Sequence, residues 1–177
     1  MDLKPISIRQ AAIEDIATVS EILKEAARWL EEIGQPLWKE EEFEPAQITP
    51  AIVDGVFVIA EESGCSAGVM KFQLEDFEFW PDASENEASY IHKLAIRRKF
   101  AGTGLSRSMI HWAIGRTKSL ERQYLRLDCH AARPHLRAFY ECFGFKHIDN
   151  RQVGPHFVSR YELDCNGEVS NVPVFEA

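Results

Sequence analysis

The spacing of apolar residues switches repeatedly along this chain between the period of a strand and the period of a helix. Ile6-Ser7-Ile8-Arg9 alternates apolar and polar side chains, as a half-buried strand does. The apolar residues that follow recur at steps of three and four, on one face of a helix that Gly34 and Pro36 end; they are Ile16, Val19, Leu23, Ala26 or Ala27, and Leu30. This switching predicts a fold that combines strands and helices around one core.

The same periodicities predict the rest of the chain. The first predicted elements are a helix over 46–53, strands over 56–60 and 68–74 joined by the connection 61–64, an acidic loop over 75–88 and a strand over 89–96. A helix after Gly104, a strand over 124–127 and a helix from Pro134 follow, and then strands over 145–148 and 157–163. The helix from Pro134 is predicted to end at Gly144 as its C-terminal cap, and its apolar face holds Leu136, Phe139, Tyr140 and Phe143. The order β-α-α-β-β-β-α-β-α-β-β predicts an α+β fold with one mixed, twisted sheet of about seven strands and helices on both faces. We expect a single domain over 5–163 and a polar tail over 164–177.

Composition excludes several classes of protein. The 177 residues include 20 Lys+Arg and 28 Asp+Glu, and a formal net charge of −8 disfavours a nucleic-acid partner. No apolar run approaches the ~18–20 residues of a membrane helix, and the first five residues lack a signal peptide's layout, so we expect a cytoplasmic protein without a membrane partner. The histidines are dispersed and the cysteines lack the spacing of metal ligands, so no metal site is expected. We expect the cysteines to be free thiols; they are Cys65, Cys129, Cys142 and Cys165.

Charge is segregated along the chain. Residues 14–44 sum to −7 and residues 61–87 again to −7, whereas residues 97–137 sum to +8. Such clustering is either an accident of solvated faces or the mark of one site with two ends, an anionic ligand held by the later segment and a cationic one by the earlier segments.

A glycine-bearing turn joins the strand 89–96 to the following helix. Gly102 and Gly104 let backbone N–H groups approach a ligand closely, and a helix N-terminus favours negative charge. Basic residues on either side fit the same use; they are Arg98, Lys99 and Arg107. The Gly-x-Gly spacing alone is equally that of a simple turn, and it lacks the Gly-Lys-Ser/Thr of a nucleotide phosphate loop.

A second segment, about 30 residues later, gives this turn a context. It contains Phe139-Tyr140-Glu141 followed by Gly144-Phe145, and with the loop Ala101-Gly102-Thr103-Gly104-Leu105-Ser106 it resembles the GNAT superfamily of acyl-CoA-dependent N-acyltransferases. Members carry an (Arg/Gln)-x-x-Gly-x-(Gly/Ala) loop and a downstream Asn-x5-(Phe/Tyr)-Tyr-Glu-x-x-Gly-Phe helix. The similarity spans roughly residues 5 to 163.

The resemblance implies a fold, a cosubstrate and roles for particular residues. Acetyl-CoA would lie where the strand 89–96 splays from its neighbour. Tyr140 matches the tyrosine that commonly protonates the departing thiolate, although its place on an apolar helix face is also that of a core residue. The residues expected to bind the cofactor are Leu94, Ala95 and Ile96 through their backbone, Ala101, Gly102, Thr103, Gly104, Leu105 and Ser106 around the pyrophosphate, and Arg133.

Three positions depart from the family pattern. Ala101 stands where Arg or Gln is usual, Ser106 where Gly or Ala is usual, and Arg133 where Asn is usual. Backbone N–H groups supply most of such a loop's grip on phosphate, so the first two changes should weaken binding little. Our hypothesis for Arg133 is that its guanidinium pairs with a cofactor phosphate.

The acceptor is predicted to be a primary amine of a small molecule or a peptide. In the family, the early helices and a loop between strands form the acceptor site, and here these segments hold aromatic and acidic residues suited to an ammonium group: Trp29, Trp38 and Phe43, then Phe77, Phe79 and Trp80. The alternative is that these rings cover the core. Candidate bases are His92, Glu75 and Glu87, each of which also has a structural interpretation. A non-catalytic acyl-CoA-binding module, a protein-modifying acetyltransferase and a homodimer stay open.

Overall fold

The computed structural model describes residues 6–167, and its seven strands form one mixed sheet in the order β1-β2-β3-β4-β5-β7-β6. The elements are β1 Ile6–Gln10, α1 Ile16–Glu32, α2 Pro45–Val53, β2 Phe57–Glu62, β3 Cys65–Gln73, β4 Ala88–Ile96, α3 Leu105–Ser119, β5 Tyr124–His130, α4 Pro134–Glu141, β6 Lys146–Val153 and β7 His156–Asp164. The predicted α+β class and element order are confirmed. The predicted tail begins at the last residue of β7, and from residue 168 it lies outside the described residues.

The described residues group into two compact units. The N-terminal unit comprises residues 6–72 and 92–112, and the C-terminal unit comprises residues 73–91 and 113–167, so β4 contributes to both. Within residues 6–167, no helix has the length and apolar character needed to cross a membrane.

In the N-terminal unit, the predicted stripe of α1 builds the core. Val19, Ile22 and Leu23 are fully buried, and they cluster with residues of α2, β2 and β3 that include Ile52 and Ile59. Burial of each such side chain contributes about 1.5–3 kcal/mol, so this stripe fixes α1 against the sheet.

The β2–β3 hairpin is tighter than expected. A connection over 61–64 was predicted, but Glu61 and Glu62 belong to β2 and pair with Ser66 and Cys65 of β3. The turn consists of Ser63 and Gly64, whose φ angles of 54° and 76° suit a two-residue hairpin turn and match the twist of the strands. The two acidic side chains before the turn, Glu61 and Glu62, had concealed the end of β2.

The parallel ladder between β4 and β5 is short. It joins four residue pairs, from Ala88–Tyr124 to Ile91–Leu127, although both strands continue beyond it. On its other edge, β5 pairs with β7 along its whole length. Two residues beyond the ladder, Lys93 adopts a φ of 51°, which interrupts the extended alternation of β4. A ladder that ends here agrees with the predicted splaying of the central strands.

In the C-terminal unit, two buried arginines hold the acidic loop before β4. Arg160 is 2% exposed, donates to Asp82 at 2.8 Å and to Asp149 at 2.6 Å, and lies 4.4 Å from the centre of the Trp80 ring. Arg126 lies over the same ring at 4.8 Å and pairs with Glu87 and Glu162. These arginines therefore neutralise part of the acidic segment 61–87.

Removing Arg160 should destabilise the fold and change its acid sensitivity. In Arg160→Met we expect a loss of about 1–3 kcal/mol in the free energy of unfolding at neutral pH, because Asp82 and Asp149 lose their shared partner. Arg160 lowers the pKa of Asp82 to about 2 and also lowers the pKa of Asp149. The two carboxylates therefore contribute to the free energy of unfolding above about pH 4, and this contribution is lost as pH falls toward about 2. In the variant the contribution is already absent, so its free energy of unfolding should fall less over the same pH range.

Urea unfolding across this pH range measures both effects. Arg151→Met is the matched control, since its guanidinium lies 3.3 Å from Asp82 but is 34% exposed. A change of at most about 0.5 kcal/mol is expected there. Equal losses in the two variants would show that burial of the guanidinium is not what matters.

Candidate active site

The turn that ends β4 forms the N-terminus of α3. Gly102 and Gly104 have φ angles of 80° and 84°, which other residues adopt at a cost of about 1–2 kcal/mol. The N–H of Ser108 donates to the Gly104 carbonyl at 3.1 Å, so the N–H groups just before Ser108 have no acceptor within the helix. A Cβ placed on either glycine would meet nothing within 4 Å. Open space therefore adjoins a positively polarised helix end, as an anionic group requires.

A carboxylate of α1 holds the start of this turn. Glu25 accepts the backbone N–H of Arg98 at 2.7 Å and the Arg97 guanidinium at 3.0 Å. Arg97 also donates to the Ser66 carbonyl of β3 at 3.1 Å. Glu25 was not among the residues predicted from the sequence. A signal was available: Glu21 and Glu25 stand four residues apart on the polar face of α1, and a basic segment needs partners.

A second carboxylate supports the middle of the turn. Thr103 donates from its hydroxyl to the Phe100 carbonyl at 2.9 Å and lies 3.3 Å from a carboxylate oxygen of Glu62. Glu62 is only 4% exposed, at the end of β2. Thr103 and Glu62 are far apart in sequence, so no local pattern could have paired them.

The basic residues beside the turn are placed differently from one another. The Arg98 guanidinium stacks over Trp29 at 3.9 Å, and Lys99 lies over Phe100 at 4.8 Å. Arg107, on the first turn of α3, is exposed. Two of the three side chains expected beside a phosphate thus lie against aromatic rings of their own chain.

The remaining predicted cofactor residues on this side form one continuous stretch. Leu94, Ala95 and Ile96 complete β4 in the N-terminal unit, and Ala95 is buried. Ala101 caps the 3-10 turn at Arg98–Phe100 in an extended conformation, and Leu105, also buried, opens α3 beside half-buried Ser106.

Tyr140 lies in the last turn of α4, in the C-terminal unit. Its side chain is 8% exposed and packs edge-on against Phe139 at 5.2 Å and Phe145 at 5.9 Å. Among residues 6–167 no hydrogen bond to its hydroxyl is found. Burial raises the pKa of Tyr140, and the neighbouring Cys129 and Asp128 add to this, so the phenol stays protonated across the neutral range.

The ends of α4 follow from its sequence. Arg133 is the residue before the first turn, and Pro134 occupies the first helical position, as predicted. The helix ends at Glu141, so Phe143 is buried beyond its end rather than on its face, and Gly144 closes the turn with a φ of 90°.

The two buried cysteines of this unit do not supply a nucleophile. Burial, with Asp128, raises the pKa of the Cys129 thiol to about 11, and burial raises that of Cys165 to about 11. Both thiols are therefore protonated at neutral pH and unreactive. All four cysteines are free, with Cys65 and Cys142 exposed, as the sequence analysis expected of plain thiols.

The aromatic rings proposed for an external cation are largely occupied by cations of the chain itself. Lys93 lies 4.9 Å from the Trp38 ring and 5.1 Å from the Phe43 ring. Arg98 covers Trp29, and Trp80 carries the two arginines described above. The structure therefore favours the structural interpretation of these rings over the expectation of an ammonium site.

Among the candidate bases, Glu87 forms an ion pair. Glu87 accepts from Arg126 at 3.0 Å and from the backbone N–H of Ser84 at 3.3 Å through the same oxygen. Glu75 is exposed, and His92 is half-buried on β4.

Comparison with known proteins agrees with this architecture. Residues 20–145 match the model of the Acetyltransferase (GNAT) family. The chain is 30% identical over 158 residues to the uncharacterized N-acetyltransferase YesJ of Bacillus subtilis (strain 168), covering 85% of this chain and 87% of that protein.

Two solved structures extend the comparison. A GNAT family acetyltransferase from Listeria monocytogenes 4b F2365 matches with a TM-score of 0.78 at 25% identity, over 90% of this chain and 94% of that one. The PaiA N-acetyltransferase of Thermoplasma acidophilum, solved in complex with coenzyme A, matches with a TM-score of 0.68 at 18% identity, over 88% and 98% of the two chains.

The fold is that of an acyltransferase that uses acetyl-CoA. The chain belongs to the GNAT acetyltransferase family, as the sequence resemblance implied, and it is an enzyme that acts on an acceptor substrate.

Removing the Glu25 carboxylate that holds the turn should weaken acetyl-CoA binding more than it slows the chemical step. In Glu25→Leu, Arg97 and the Arg98 N–H lose a charged acceptor, and about 1 kcal/mol of lost loop positioning corresponds to about a fivefold rise in KM for acetyl-CoA. We expect kcat to stay within about twofold. Steady-state kinetics with a thiol-release assay measures both constants.

Glu21→Leu is the matched control. Glu21 contacts the same guanidinium at 3.4 Å but is 71% exposed, so little effect is expected. A larger KM change in the control, or an unchanged KM in Glu25→Leu, would remove Glu25 from this role.

Proposed function

We propose that this enzyme transfers the acetyl group of acetyl-CoA to a primary amine of a small molecule or a peptide by direct attack. The observation that carries the proposal is the open, positively polarised turn at Gly102–Gly104, which adjoins the end of β4 in a member of the acetyltransferase family. Coenzyme A bound to the structurally similar PaiA protein supports the identity of the cosubstrate.

The cofactor contacts follow the stretch from β4 into α3. In this proposal the backbone of Leu94, Ala95 and Ile96 pairs with the pantetheine amides and polarises the thioester carbonyl. The N–H groups of Gly102, Gly104, Leu105 and Ser106 receive the pyrophosphate, and the positive φ angles at Gly102 and Gly104 orient them. The N–H groups of Ala101 and Thr103 instead donate to the carbonyls of Arg98 and Phe100 within the turn. Arg133, before the first turn of α4, supplies a guanidinium for a phosphate oxygen.

The reaction needs proton transfers at both of its ends. The amine nitrogen attacks the thioester carbonyl carbon, the C–S bond breaks as the tetrahedral intermediate collapses, and the products are an amide and the coenzyme A thiol. A lysine-like amine of pKa ~10.4 must first lose a proton, which costs about 4.6 kcal/mol at pH 7. Burial keeps Tyr140 protonated, and it donates this proton to the departing thiolate. The attacking nitrogen releases its proton to water, from which the phenol is restored.

Two assays test the proposal together. Acetyl-CoA should bind saturably in calorimetry, and a panel of amines should stimulate thiol release, with the acetylated amine found by mass spectrometry. Binding without amine-stimulated release would favour a chain that keeps the fold but not the acceptor chemistry. Release only with a folded protein substrate would favour a protein-modifying enzyme. Absence of acetyl-CoA binding would refute the proposal.

The role of Tyr140 is tested by removing its hydroxyl. Tyr140→Phe should lower kcat by about 10²–10³-fold while acetyl-CoA affinity stays within about twofold, because only proton donation is lost. Since burial raises the pKa of Tyr140, the wild-type kcat should show no fall from phenol ionisation up to about pH 10. Tyr124→Phe, whose hydroxyl accepts from Gln123, is the control and should retain activity. A Tyr140→Phe variant with normal kcat would leave Tyr140 a core residue.

Arg133 is tested through the salt dependence of binding. Arg133→Ala should weaken acetyl-CoA binding by about tenfold at low ionic strength and by less at high salt, as expected for the loss of an ion pair. Arg151→Ala, on β6, serves as the control for a change in net charge. An affinity for acetyl-CoA that is unchanged at low salt would exclude the phosphate contact.

A further inference from the structure

A small cavity opens beside the interruption of β4, entirely within the N-terminal unit. Its volume is about 100 Å³, which suits a small group on a short stem rather than a long chain. Its lining consists of Glu42, Phe43, Gln47, Ile48, Ala51, Phe57, Lys71 and Lys93. Apolar side chains of α2 and β2 thus form walls, and ionised and amide groups complete the lining.

The ionised groups of this lining are two lysines and one glutamate. Lys93 lies over the Trp38 and Phe43 rings and 3.7 Å from Glu42. The other oxygen of Glu42 accepts the backbone N–H of Lys39 at 3.0 Å. Lys71 lies 5.6 Å from the centre of the Phe57 ring. Counted over the lining residues alone, two lysines and one glutamate give a net charge of +1.

The position of the cavity connects it to the proposed reaction. Lys93 immediately precedes Leu94–Ile96, the stretch proposed above to hold the thioester. The φ of 51° at Lys93 sets the direction of the chain at this point, and the contacts with Trp38, Phe43 and Glu42 hold its side chain on the cavity. A group bound between the two lysines would lie beside the strand that presents the acetyl group.

We propose that the acceptor carries a carboxylate in addition to its primary amine, and that the cavity lined by Lys71 and Lys93 binds this carboxylate. The inference rests on the proposed function and names its substrate class. The apolar walls would contact the stem between carboxylate and amine. A second ammonium group on the acceptor, as in a polyamine, would meet like charge, so the same lining selects against it.

Matched acceptors test the proposal. Glycine, 3-aminopropanoate and 4-aminobutanoate are each compared with the corresponding carboxamide and with 1,3-diaminopropane, at equal concentrations of the unprotonated amine. This matching removes the effect of the carboxylate on the pKa of the amine. We expect at least one carboxylate to exceed its own amide by about tenfold or more in kcat/KM, equivalent to about 1.4 kcal/mol. Equal use of every acid and its amide would overturn the proposal.

Variants of the two lysines test whether the preference for a carboxylate over its carboxamide arises at this cavity. Lys71→Gln and Lys93→Gln should each reduce the acid-to-amide ratio by about fivefold or more through the KM of the acceptor, and Lys71→Gln should leave the KM for acetyl-CoA unchanged. Lys146→Gln, an exposed residue of β6, is the matched control and should leave the ratio unchanged. A ratio unaffected by both cavity variants would place the carboxylate elsewhere and overturn the assignment.

A second measurement does not depend on the folding of the variants. Propanoate and butanoate should inhibit the wild-type enzyme competitively against the amine, whereas propanamide and butanamide should not. Equal inhibition by acids and amides would contradict the proposal. Failure of the proposed function would look different, since then no amine at all would release thiol from acetyl-CoA.

Discussion

The backbone at Lys93 is the constraint on which the proposed site depends. A left-handed φ in a residue other than glycine costs about 1–3 kcal/mol and persists only where surrounding contacts compensate. Here the Trp38 and Phe43 rings and Glu42 hold the lysine side chain. The interruption comes just after the ladder with β5 ends, which leaves Leu94–Ile96 outside that ladder. Glu25 then fixes the next residues, so the strand delivers the glycine turn in one defined conformation.

Many of the charged residues that cluster along the sequence form ion pairs within their own unit. Glu25 of α1 pairs with Arg97, two acids of the 3-10 turn Glu40–Phe43 pair with Lys93 and Arg28, and Glu44 pairs with Lys24. Acidic residues of the loop 75–87 pair with Arg126 and Arg160. Sequence blocks of opposite charge need not face two ligands, because tertiary contacts bring such blocks together. The glycine turn nevertheless lies beside open space at the N-terminus of α3, which is the feature an anionic cofactor needs.

Local patterns predicted what local forces determine. The spacing of apolar residues predicted the order of the elements. Gly104 and Gly144 marked the start of α3 and the end of α4, because the backbone conformations at these positions favour glycine. Contacts between distant residues could not be predicted in this way. Thr103 meets Glu62, and Lys93 meets Trp38, only after the sheet has formed. The rings around Trp38 were therefore expected to receive an external cation, whereas a lysine on β4 had already taken that place.

The charge of the cavity also bears on the amine that must react. Carboxylates around an ammonium group stabilise its protonated form and raise its pKa, which opposes the proton loss that attack requires. Ammonium groups such as those of Lys71 and Lys93 have the opposite effect, and each unit by which they lower the acceptor's pKa removes about 1.4 kcal/mol from the deprotonation cost. In this proposal, the lysine ammonium groups attract the carboxylate of the acceptor, whereas they do not attract its amine. In this proposal, binding energy from the remote group positions the nitrogen for attack.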